Sequence, residues 1–478
     1  MEKPSCRLLV LLTGNYSQKI HILLINCFAS LQKSLSDQPI FPMKKYIAFA
    51  FCFLLSASLF GQIQSGPMVG YSDMREVMLW VQTQQAANVR IDFWEDGKPT
   101  ARQSTEEIKT EKKDAFVAKL LAYPLEPGKK YSYEVVINNK VVKRPYPLQF
   151  QTQALWQYRS DPPNFRFAIG SCTYVNDEAY DRPGKPYGGQ YEIFKSIHEQ
   201  KPDFMIWGGD NTYLREPDWN TRSGMLYRYT HTRSLPEMQA LLGSAHNYAI
   251  WDDHDFGPND SDRAFWLKNT AAETFKLFWA NPNYVLDGPC TGTFFWNDIQ
   301  FFLLDDRWFK APNERAEPRD YFGQQQIRWL IDALSTSKAP FKFVVAGGQI
   351  INASPVFENY SNYAAEQEQF LKQLADEKIP GVIFLTGDRH STALHTLKRP
   401  GTYPLHDFTI SPLTSGRAIP VKEEYQNSTM DTTTVVTERN FAILDVSGPA
   451  TDRKLRVSVR NVQGKELWSR ELTASELK

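Results

Sequence analysis

The sequence predicts an α/β domain with layered sheets, preceded by a smaller all-β sandwich of the immunoglobulin or fibronectin type. Two observations carry this prediction. Between residues 66 and 152 the apolar runs are short, partly alternating and separated by charged loops, which is typical of antiparallel strands. From residue 163 to 478, fully apolar runs of strand length alternate with amphipathic stretches, which is typical of strands covered on both faces.

The N-terminal region resembles an export signal. Met43 begins the stretch MKKYIAFAFCFLLSASLFGQ, in which two lysines precede an apolar run and small residues follow. The run is shorter than the roughly 20 residues of a membrane span, which favours a signal peptide over 43–61 rather than a membrane anchor. Cleavage is expected between about Ser58 and Gly61. We therefore expect residues 1–42 to be absent from the mature protein, which would be periplasmic or extracellular.

The small N-terminal domain, residues 66–152, is expected to consist of strands with an Asn138-Asn139 hairpin turn. No combination of catalytic residue types occurs in this region, so its sequence indicates a packing or spacer module. The predicted strands lie within EVMLWVQT (76–83), NVRIDFWE (88–95), FVAKLLAY (116–123) and YSYEVVINNKVVKRPYPLQFQT (131–152).

The larger domain repeats one pattern, in which an apolar run of strand length ends in a polar cluster. The runs are FRFAIGSC (165–172), FMIWGGD (204–210), YAIWDDHD (248–255), FFLLDDRW (301–308), FVVAGGQI (343–350) and VIFLTGDRH (382–390). Helices are expected in QYEIFKSIHEQ (190–200), GQQQIRWLIDALSTS (323–337) and AAEQEQFLKQLADEK (364–378), and antiparallel strands close the chain after residue 438. Ligands in such folds bind at the carboxyl ends of the strands, where every one of these clusters lies.

The polar clusters contain side chains that metal ions prefer. Carboxylates bind hard cations, whereas thiolate and imidazole bind transition metals. In GGDNTY, the carboxylate of Asp210 can bridge two cations and the Tyr213 phenolate can reach one of them. In GDRH, Asp388 and His390 are expected on the same side of an extended loop.

The cluster WDDHD offers Asp253 to a metal and His254 to a substrate. An aspartate at a strand end, taken alone, is often only a helix cap or a turn former. The ordered series GD-x-x-Y, DDH and GD-x-H at successive strand ends instead favours a metal site. Gly170, Gly208, Gly209 and Gly387 would let the backbone approach the ions closely.

Two cysteines, Cys172 and Cys290, follow the predicted signal, whereas Cys6, Cys27 and Cys52 precede its end. In an exported protein the pair could form a disulfide. Cys172 ends a strand at the edge of the acidic clusters, whereas Cys290 lies in a turn without acids, so metal ligation by Cys172 is favoured.

Taken together, the motifs resemble those of the alkaline phosphatase D (PhoD-like) family of calcineurin-like metallophosphoesterases. The resemblance runs from about residue 66 to the C-terminus and rests on GSC (170–172), GDNTY (209–213), WDDHDFGPND (251–260), GDRH (387–390) and SPLTSG (411–416). It implies a metallophosphatase domain over 163–478 that hydrolyses phosphate monoesters or diesters by metal-activated hydroxide. The implied cofactors are Fe3+ and Ca2+, and other divalent metals are compatible with the same residues.

By motif, the resemblance also implies a division of labour among the site residues. Iron would be held by Cys172, Asp210, Tyr213 and Asp388, with Asp210 bridging to calcium. Calcium would be held by Asp253 and Asn259 together with Asp388 or His390.

The implied catalytic residues are His254, His390 and Arg389. Either histidine could protonate the leaving oxygen. Arg389, Arg307 or Arg417 could bind phosphate, although each could equally form a structural ion pair. Gln349 and Asp388 stand where the wider superfamily has histidines, a difference that PhoD-like members share and that moves the metal preference from zinc or manganese toward calcium.

Two other functional classes fit the sequence less well. A secreted binding protein with an inactive metallophosphatase domain would be expected to have lost some ligand positions, and none of them is lost. A carboxylic-ester hydrolase is disfavoured by the order of the clusters and by the absence of G-x-S-x-G. The 54 basic and 54 acidic residues leave no charge excess for nucleic acid or an anionic membrane, so the expected partner is a small-molecule or polymer phosphoester.

Overall fold

The computed structural model describes residues 62–478, so the predicted extension, the predicted signal peptide and Cys6, Cys27 and Cys52 lie outside the described residues. None of the helices in this part of the chain is long and apolar enough to cross a membrane. The strands of the described part form three sheets.

The first sheet has nine strands and provides one layer of the large domain. In spatial order they are β22 (Glu466–Thr473), β21 (Lys454–Asn461), β20 (Asn440–Ser447), β10 (Phe165–Gly170), β11 (Phe204–Gly208), β12 (His246–Ile250), β1 (Ile63–Ser72), β2 (Val77–Thr83) and β6 (Val117–Ala122). Strands β10, β11, β12 and β1 are parallel, whereas β20–β22 close the sheet as antiparallel strands. This confirms the closing strands predicted after residue 438.

The second sheet has seven strands and packs against the first. In spatial order they are β13 (Gly292–Trp296), β14 (Ile299–Leu303), β15 (Lys342–Val345), β16 (Val382–Thr386), β18 (Leu405–Thr409), β17 (Thr392–Leu397) and β19 (Met430–Val436). Its four central strands, β14, β15, β16 and β18, are parallel. The polar clusters that follow β14, β15 and β16 therefore lie at one edge.

The third sheet belongs to the N-terminal module. Its strands are β4 (Gln103–Ser104), β3 (Asn88–Glu95), β7 (Lys130–Ile137) and β8 (Lys140–Val142), with β5 (Ile108–Lys109) beside β3 and β9 (Gln149–Gln151) beside β7. Asn138 and Asn139 form the predicted hairpin turn with φ values of 48° and 62°. Asparagine tolerates this left-handed conformation better than most residues.

Helices cover the outer faces of the two large sheets. They are α1 (Ile193–Glu199), α2 (Arg222–Arg233), α3 (Gln239–Ser244), α4 (Asp253–Phe256), α5 (Lys268–Phe278), α6 (Gln324–Thr336), α7 (Ala364–Asp376) and α8 (Lys422–Tyr425). Short 3-10 helices lie at Lys112–Asp114, Pro236–Met238, Tyr360–Tyr363 and Ala474–Leu477. Helices α1, α6 and α7 confirm the three amphipathic stretches predicted from the sequence.

Aromatic side chains fill the space between the two large sheets. Phe167 of the first sheet lies 5.3 Å, centroid to centroid, from Phe301 of the second, and 5.5 Å from Phe343, both edge to face. Phe167 also stacks on Phe204 at 4.9 Å. All four rings are fully buried. Such pairs add stabilisation to the apolar area that they bury, and they fix the two sheets whose strand ends form the site.

The N-terminal module is joined to the large domain by a continuous sheet, which the sequence did not predict. Strand β1 pairs in parallel with β12, with Val69 opposite His246. Strand β2 buries both of its faces: Leu79 packs into the core of the N-terminal sandwich, whereas Trp80 packs among the helices of the large domain. The N-terminal module therefore shares a β-sheet with the domain that carries the polar clusters.

Candidate metal centre

Four strand ends bring candidate ligands to one edge of the paired sheets. Cys172 follows β10, Asp210 follows β11, Asp253 follows β12, and Asp388 follows β16 of the other sheet. All four side chains are buried or nearly so. The cluster therefore forms where the carboxyl ends of parallel strands from both sheets meet.

Several of these residues adopt a backbone conformation that residues with side chains seldom use. Cys172, Asp210, Asp388 and His390 have φ values of 61°, 53°, 62° and 53°. A left-handed conformation costs about 1–3 kcal/mol for a residue other than glycine, and it tends to accumulate at functional sites. It turns each loop sharply after its strand, so the side chain points back over the sheet edge.

Two of the four glycines singled out in the sequence permit a close approach between these loops. A Cβ atom on Gly387 would lie 2.5 Å from Ser171 Oγ and 2.8 Å from the carbonyl oxygen of Gly208. Gly209 has φ of 93°, and a Cβ atom there would lie 2.9 Å from the Cβ of Asp252. Both contacts are too short for any side chain, so glycine is required where the strand ends meet.

Acidic, thiol and imidazole groups converge in four sets whose ligand atoms all lie within 4.8 Å of one another. The sets are Cys172, Asp210 and His390; Asp210, Asp253 and His254; Asp252, Asp253 and Asp388; and Asp253, Asp260 and Glu358. Asp210 and Asp253 each belong to more than one set, so neighbouring sets share a carboxylate. This is the arrangement that two adjacent cations would need.

Asp388 and His390 fall into different sets, which corrects the expectation of an extended loop with both side chains on one side. Both residues have left-handed φ angles, so the loop is coiled rather than extended. His390 Nε2 lies 3.1 Å from the Tyr213 hydroxyl and His390 Nδ1 lies 3.1 Å from the Tyr187 hydroxyl. His390 therefore joins the set with the thiol, and Asp388 joins the carboxylates.

Asp255, the third acid of WDDHD, braces the site. Its two carboxylate oxygens accept hydrogen bonds from the backbone N–H groups of Asn211 (3.1 Å), Thr212 (3.0 Å) and Asp252 (3.1 Å). Asp255 is fully buried. The side chain ties the loop that carries Asp210 to the loop that carries Asp253.

Two of the three arginines considered for phosphate binding already have carboxylate partners. Arg307 is fully buried and pairs with Asp252 and with Glu358, the latter at 2.6 Å. Arg389 pairs with Glu424 at 2.9 Å and lies 4.0 Å from the centre of the Phe357 ring. Arg417 is exposed, and its exposure does not distinguish it from other surface arginines.

The acidic cluster fits a cation on two independent grounds. First, buried polar atoms in it have no hydrogen-bond partner among the described residues: Asp210 Oδ2, Asp252 Oδ2, Asp253 Oδ1 and His254 Nδ1. Buried polar groups are otherwise almost always paired. Second, burial together with the charges of Asp253, Asp255 and Asp388 raises the pKa of Asp210 well above its usual range.

Three other ligand candidates show the same electrostatic pattern, whereas at Asp253 burial raises the pKa but neighbouring positive charges outweigh it and hold the pKa below its usual range. Burial raises the pKa of Asp388 to about 6, with Arg389 opposing the shift and Asp253 adding to it. Burial also raises the pKa values of the Cys172 thiol and the Tyr213 phenol well above their usual ranges. The thiol and the phenol would keep their protons unless a strong positive charge lies beside them. The donor set therefore suits metal ions better than water.

Cys172 and Cys290 are both free thiols in the described structure, so the alternative of a disulfide between them is not realised. The hydroxyl of Ser411 lies 3.2 Å from Cys172 Sγ. The backbone N–H of Cys290 donates to Asp305 Oδ2 at 2.8 Å, away from the thiol of Cys172. Cys172 alone faces the metal centre.

A cavity of about 520 Å³ opens beside the cluster and is bordered by His254. Burial lowers the pKa of His254, with the charge of Arg215 lowering it further and that of Asp253 opposing the shift. Asn259, predicted as a calcium ligand, is exposed and borders this cavity.

Sequence reasoning missed three residues of this region. Glu358 follows no strand-end pattern, and Arg215 and Tyr187 lie in loops without a metal motif. Arg215 comes two residues after Tyr213, and that spacing is the one signal that could have drawn attention to it.

Comparisons with known proteins indicate the family and the fold. The family model of the PhoD-like phosphatases matches residues 293–451, and a domain of unknown function, DUF7800, matches residues 61–155. The first match confirms the family resemblance found in the motifs. Among curated protein sequences, none matches this chain.

The fold of the chain is that of a solved structure described as "Structure of PhoD". The two share 17% sequence identity over 87% of this chain and 92% of that chain, with a TM-score of 0.70. The sensor domain of the anti-sigma factor RsgI4 from Pseudobacteroides cellulosolvens matches 20% of this chain and 90% of its own at 16% identity and a TM-score of 0.17. A human fibronectin type III domain, from the KIAA0970 protein, matches 31% of this chain and all of its own at 14% identity and a TM-score of 0.16.

Proposed function

We propose that this chain, whose residues 293–451 match the PhoD-like phosphatases, is an exported, metal-dependent phosphoesterase that hydrolyses phosphate monoesters or diesters. One observation carries the proposal. On a PhoD-like fold, buried carboxylate oxygens without hydrogen-bond partners converge with a thiol, a phenol and an imidazole at the strand ends. Such a donor set is suited to metal ions that act on a phosphoryl group.

The geometry supports a division into two metal positions that share Asp210. Iron(III) would be held by Cys172, Asp210 and Tyr213, with His390 beside them. A hard cation such as calcium would be held by Asp210, Asp253 and Asp388, with Asn259 as the further ligand that the family resemblance implies. When bound, the metals supply Lewis acidity, which polarises the phosphoryl group and lowers the pKa of the attacking water.

Of the two candidate histidines, the geometry favours His254 as the one that meets the substrate. Both ring nitrogens of His390 face phenol hydroxyls, those of Tyr213 and Tyr187. His254 Nδ1 has no hydrogen-bond partner within the described part of the chain, and the ring borders the open cavity. His254 can therefore orient the substrate or move a proton at the leaving oxygen, whereas His390 is held in place.

Arg389 has a smaller role in this account than its motif implies. Its guanidinium already pairs with Glu424 and stacks on Phe357, so it is placed to hold the loop that carries Asp388 and His390. It can contribute to phosphate binding through its remaining nitrogens.

The alternative, a secreted binding protein with an inactive phosphatase domain, is less well supported. Decay of the site would leave gaps in the ligand sets, yet each set contains ionisable side chains within 4.8 Å of one another. A retained but unused site would also keep the costly burial of the acidic groups without a cation.

The proposal is tested by assaying the purified, metal-loaded protein on phenyl phosphate, bis(4-nitrophenyl) phosphate and 4-nitrophenyl acetate. Hydrolysis of either phosphoester, without comparable hydrolysis of the acetate, is the expected result. Failure on both phosphoesters in protein with bound metal would favour the binding protein, and turnover of the acetate alone would favour an esterase.

Export is tested separately on native material. Intact-mass and N-terminal peptide analysis of the protein from its native cells should give a chain that begins near residue 60. Mature protein that retains residues 1–42 would contradict export by the predicted signal.

A further inference from the structure

Arg215 is a buried arginine beside the candidate metal centre, and within residues 62–478 it pairs with no carboxylate. Only 6% of the residue is exposed, and none of the ion pairs among the described residues involves it. Its one side-chain hydrogen bond in the described structure runs from Nε to the Tyr174 hydroxyl at 3.1 Å. Burying an unpaired charge is costly, so an anionic ligand would stabilise the guanidinium, for which the described part of the chain supplies no ion-pair partner.

The acidic groups nearest in sequence are already engaged. Asp218 accepts the backbone N–H of Arg215 at 2.9 Å, but its ion pair is with Arg228 at 2.7 Å. Asp181 accepts the Tyr174 hydroxyl at 2.6 Å and therefore reaches Arg215 only through that tyrosine. Glu216 pairs with Arg182. These nearby carboxylates therefore leave the charge of Arg215 without an ion-pair partner among the described residues.

The guanidinium faces the cavity that also borders His254. Arg215, Tyr174, Tyr187 and His254 all line this space of about 520 Å³. The Cζ atom of Arg215 lies 4.8 Å from the centre of the Tyr174 ring, 5.8 Å from that of Tyr187 and 5.5 Å from that of Tyr213. The three aromatic rings therefore hold the Arg215 guanidinium in place close to Tyr213, whose phenol is a candidate metal ligand.

A guanidinium fixed in this way is suited to an oxyanion. Arginine binds a carboxylate or a phosphate through parallel N–H donors, and its charge persists at any working pH. The metals, when bound, would neutralise the charge of the scissile phosphoryl group. Arg215 is left for a second negative charge.

We propose that Arg215 binds an anionic substituent on the leaving group, so that this phosphoesterase prefers substrates with a second oxyanion close to the scissile phosphate. The inference rests on the proposed hydrolysis of phosphoesters. In that reaction the ester P–O bond breaks and the water oxygen forms the new P–O bond; one proton of the water goes to the leaving oxygen and the other stays on the product phosphate. Arg215 touches the leaving group and takes no part in the proton movement.

The test compares three substrates on wild type, Arg215→Gln and Arg215→Lys. Ethyl phosphate and 2-phosphoglycolate differ by a carboxylate in place of a methyl group, and pyrophosphate supplies a second phosphate. Arg215→Gln is expected to lower kcat/KM about 10- to 100-fold on 2-phosphoglycolate or pyrophosphate, because a hydrogen-bonded charge pair is lost. On ethyl phosphate the change should stay within about threefold.

Arg215→Lys keeps the charge but loses the parallel donors, so it should fall between wild type and Arg215→Gln. Arg222→Gln is the control, since Arg222 is a partly exposed arginine on α2 that pairs with Asp114 and Glu273. It should alter none of the three ratios. The anionic substrate with the larger loss identifies the second anion as carboxylate or phosphate.

Two outcomes would overturn the inference. An equal loss on all three substrates would assign Arg215 to the scissile phosphoryl group, and no loss on any of them would leave it without a role in binding. If wild type hydrolyses none of the three, calorimetric titration of pyrophosphate into the metal-loaded proteins separates the two claims. A Kd that rises about 10-fold or more in Arg215→Gln keeps the anion site, and an unchanged Kd removes it. The phosphoesterase assignment is decided separately by the assay on phenyl phosphate and bis(4-nitrophenyl) phosphate.

Discussion

Asp255 offers a sharp test of how the metal centre is held, because its role is structural and its replacement leaves every candidate ligand in place. Its carboxylate accepts three backbone N–H groups, from Asn211, Thr212 and Asp252. In Asp255→Ala these donors remain buried and lose their acceptors. An unpaired buried donor costs about 1–3 kcal/mol, so three of them, with some relaxation of the loops, predict a loss of about 3–5 kcal/mol in the free energy of unfolding.

The same change should loosen the metal centre, because the loops that carry Asp210 and Asp253 would no longer be tied together. The assay is guanidinium-induced unfolding followed by fluorescence, with metal content per chain measured on the same preparations. Asp255→Asn keeps one acceptor oxygen and should lose less stability than Asp255→Ala.

Glu366, which belongs to none of the four ligand sets, supplies a matched control. Its carboxylate also accepts three backbone N–H groups, those of Tyr321 (3.0 Å), Phe322 (2.7 Å) and Gly323 (3.1 Å). Glu366→Ala should destabilise the protein by a comparable amount but retain its metal. Wild-type stability in Asp255→Ala, or equal metal loss in both variants, would refute the role given to Asp255.

Three further predictions concern the metal centre and the sheet shared by the N-terminal module and the large domain. Removing calcium with a chelator and gel filtration should abolish hydrolysis, and added calcium should restore it; full activity after this treatment would contradict an oxygen-ligated cation. Iron(III) bound by the Tyr213 phenolate should colour concentrated protein, so Tyr213→Phe should bleach or shift the visible band. Cys172→Ser should weaken iron retention. Colourless, iron-free and fully active protein would refute the iron assignment. Burial lowers the pKa of His246 to about 4. The stability that the neutral imidazole contributes is therefore complete above the ordinary pKa of about 6.5 and is lost as the pH falls from about 6.5 to about 4. The total loss in the free energy of unfolding is about 3 kcal/mol. His246→Gln should remove that part of the acid sensitivity in unfolding curves at pH 7 and pH 4, and an unchanged difference between the two pH values would contradict it.

The position of the metal centre could be predicted from the sequence because it follows from the order of the chain. Apolar strands that end in GSC, GGD, WDDHD and GDRH must bring Cys172, Asp210, Asp253 and Asp388 to one edge if the strands are parallel, and the structure has them there. The helical spacing of apolar residues likewise predicted helices α6 and α7.

Other features depend on backbone conformation or on contacts between residues far apart in the sequence, and no sequence pattern predicts them. The coiled backbone at Asp388 and His390, with φ near 60° and 53°, separates two side chains that an extended loop would have kept together. The pairing of Arg307 with Asp252 and Glu358 joins residues about fifty positions apart or more. The shared sheet through β1 and β12 joins segments that the sequence had divided between domains.

The most direct test of the central claim is the metal content of Asp210→Asn, measured by mass spectrometry of the elements together with hydrolysis of phenyl phosphate on the same preparation. Asp445→Asn is the matched control, because Asp445 lies at the opposite end of β20, paired with Arg166 at 2.7 Å. The account predicts that wild type and Asp445→Asn hold metal and hydrolyse the ester, and that Asp210→Asn loses most of both, since the shared carboxylate serves two ligand sets. Normal metal content and normal turnover in Asp210→Asn would contradict it.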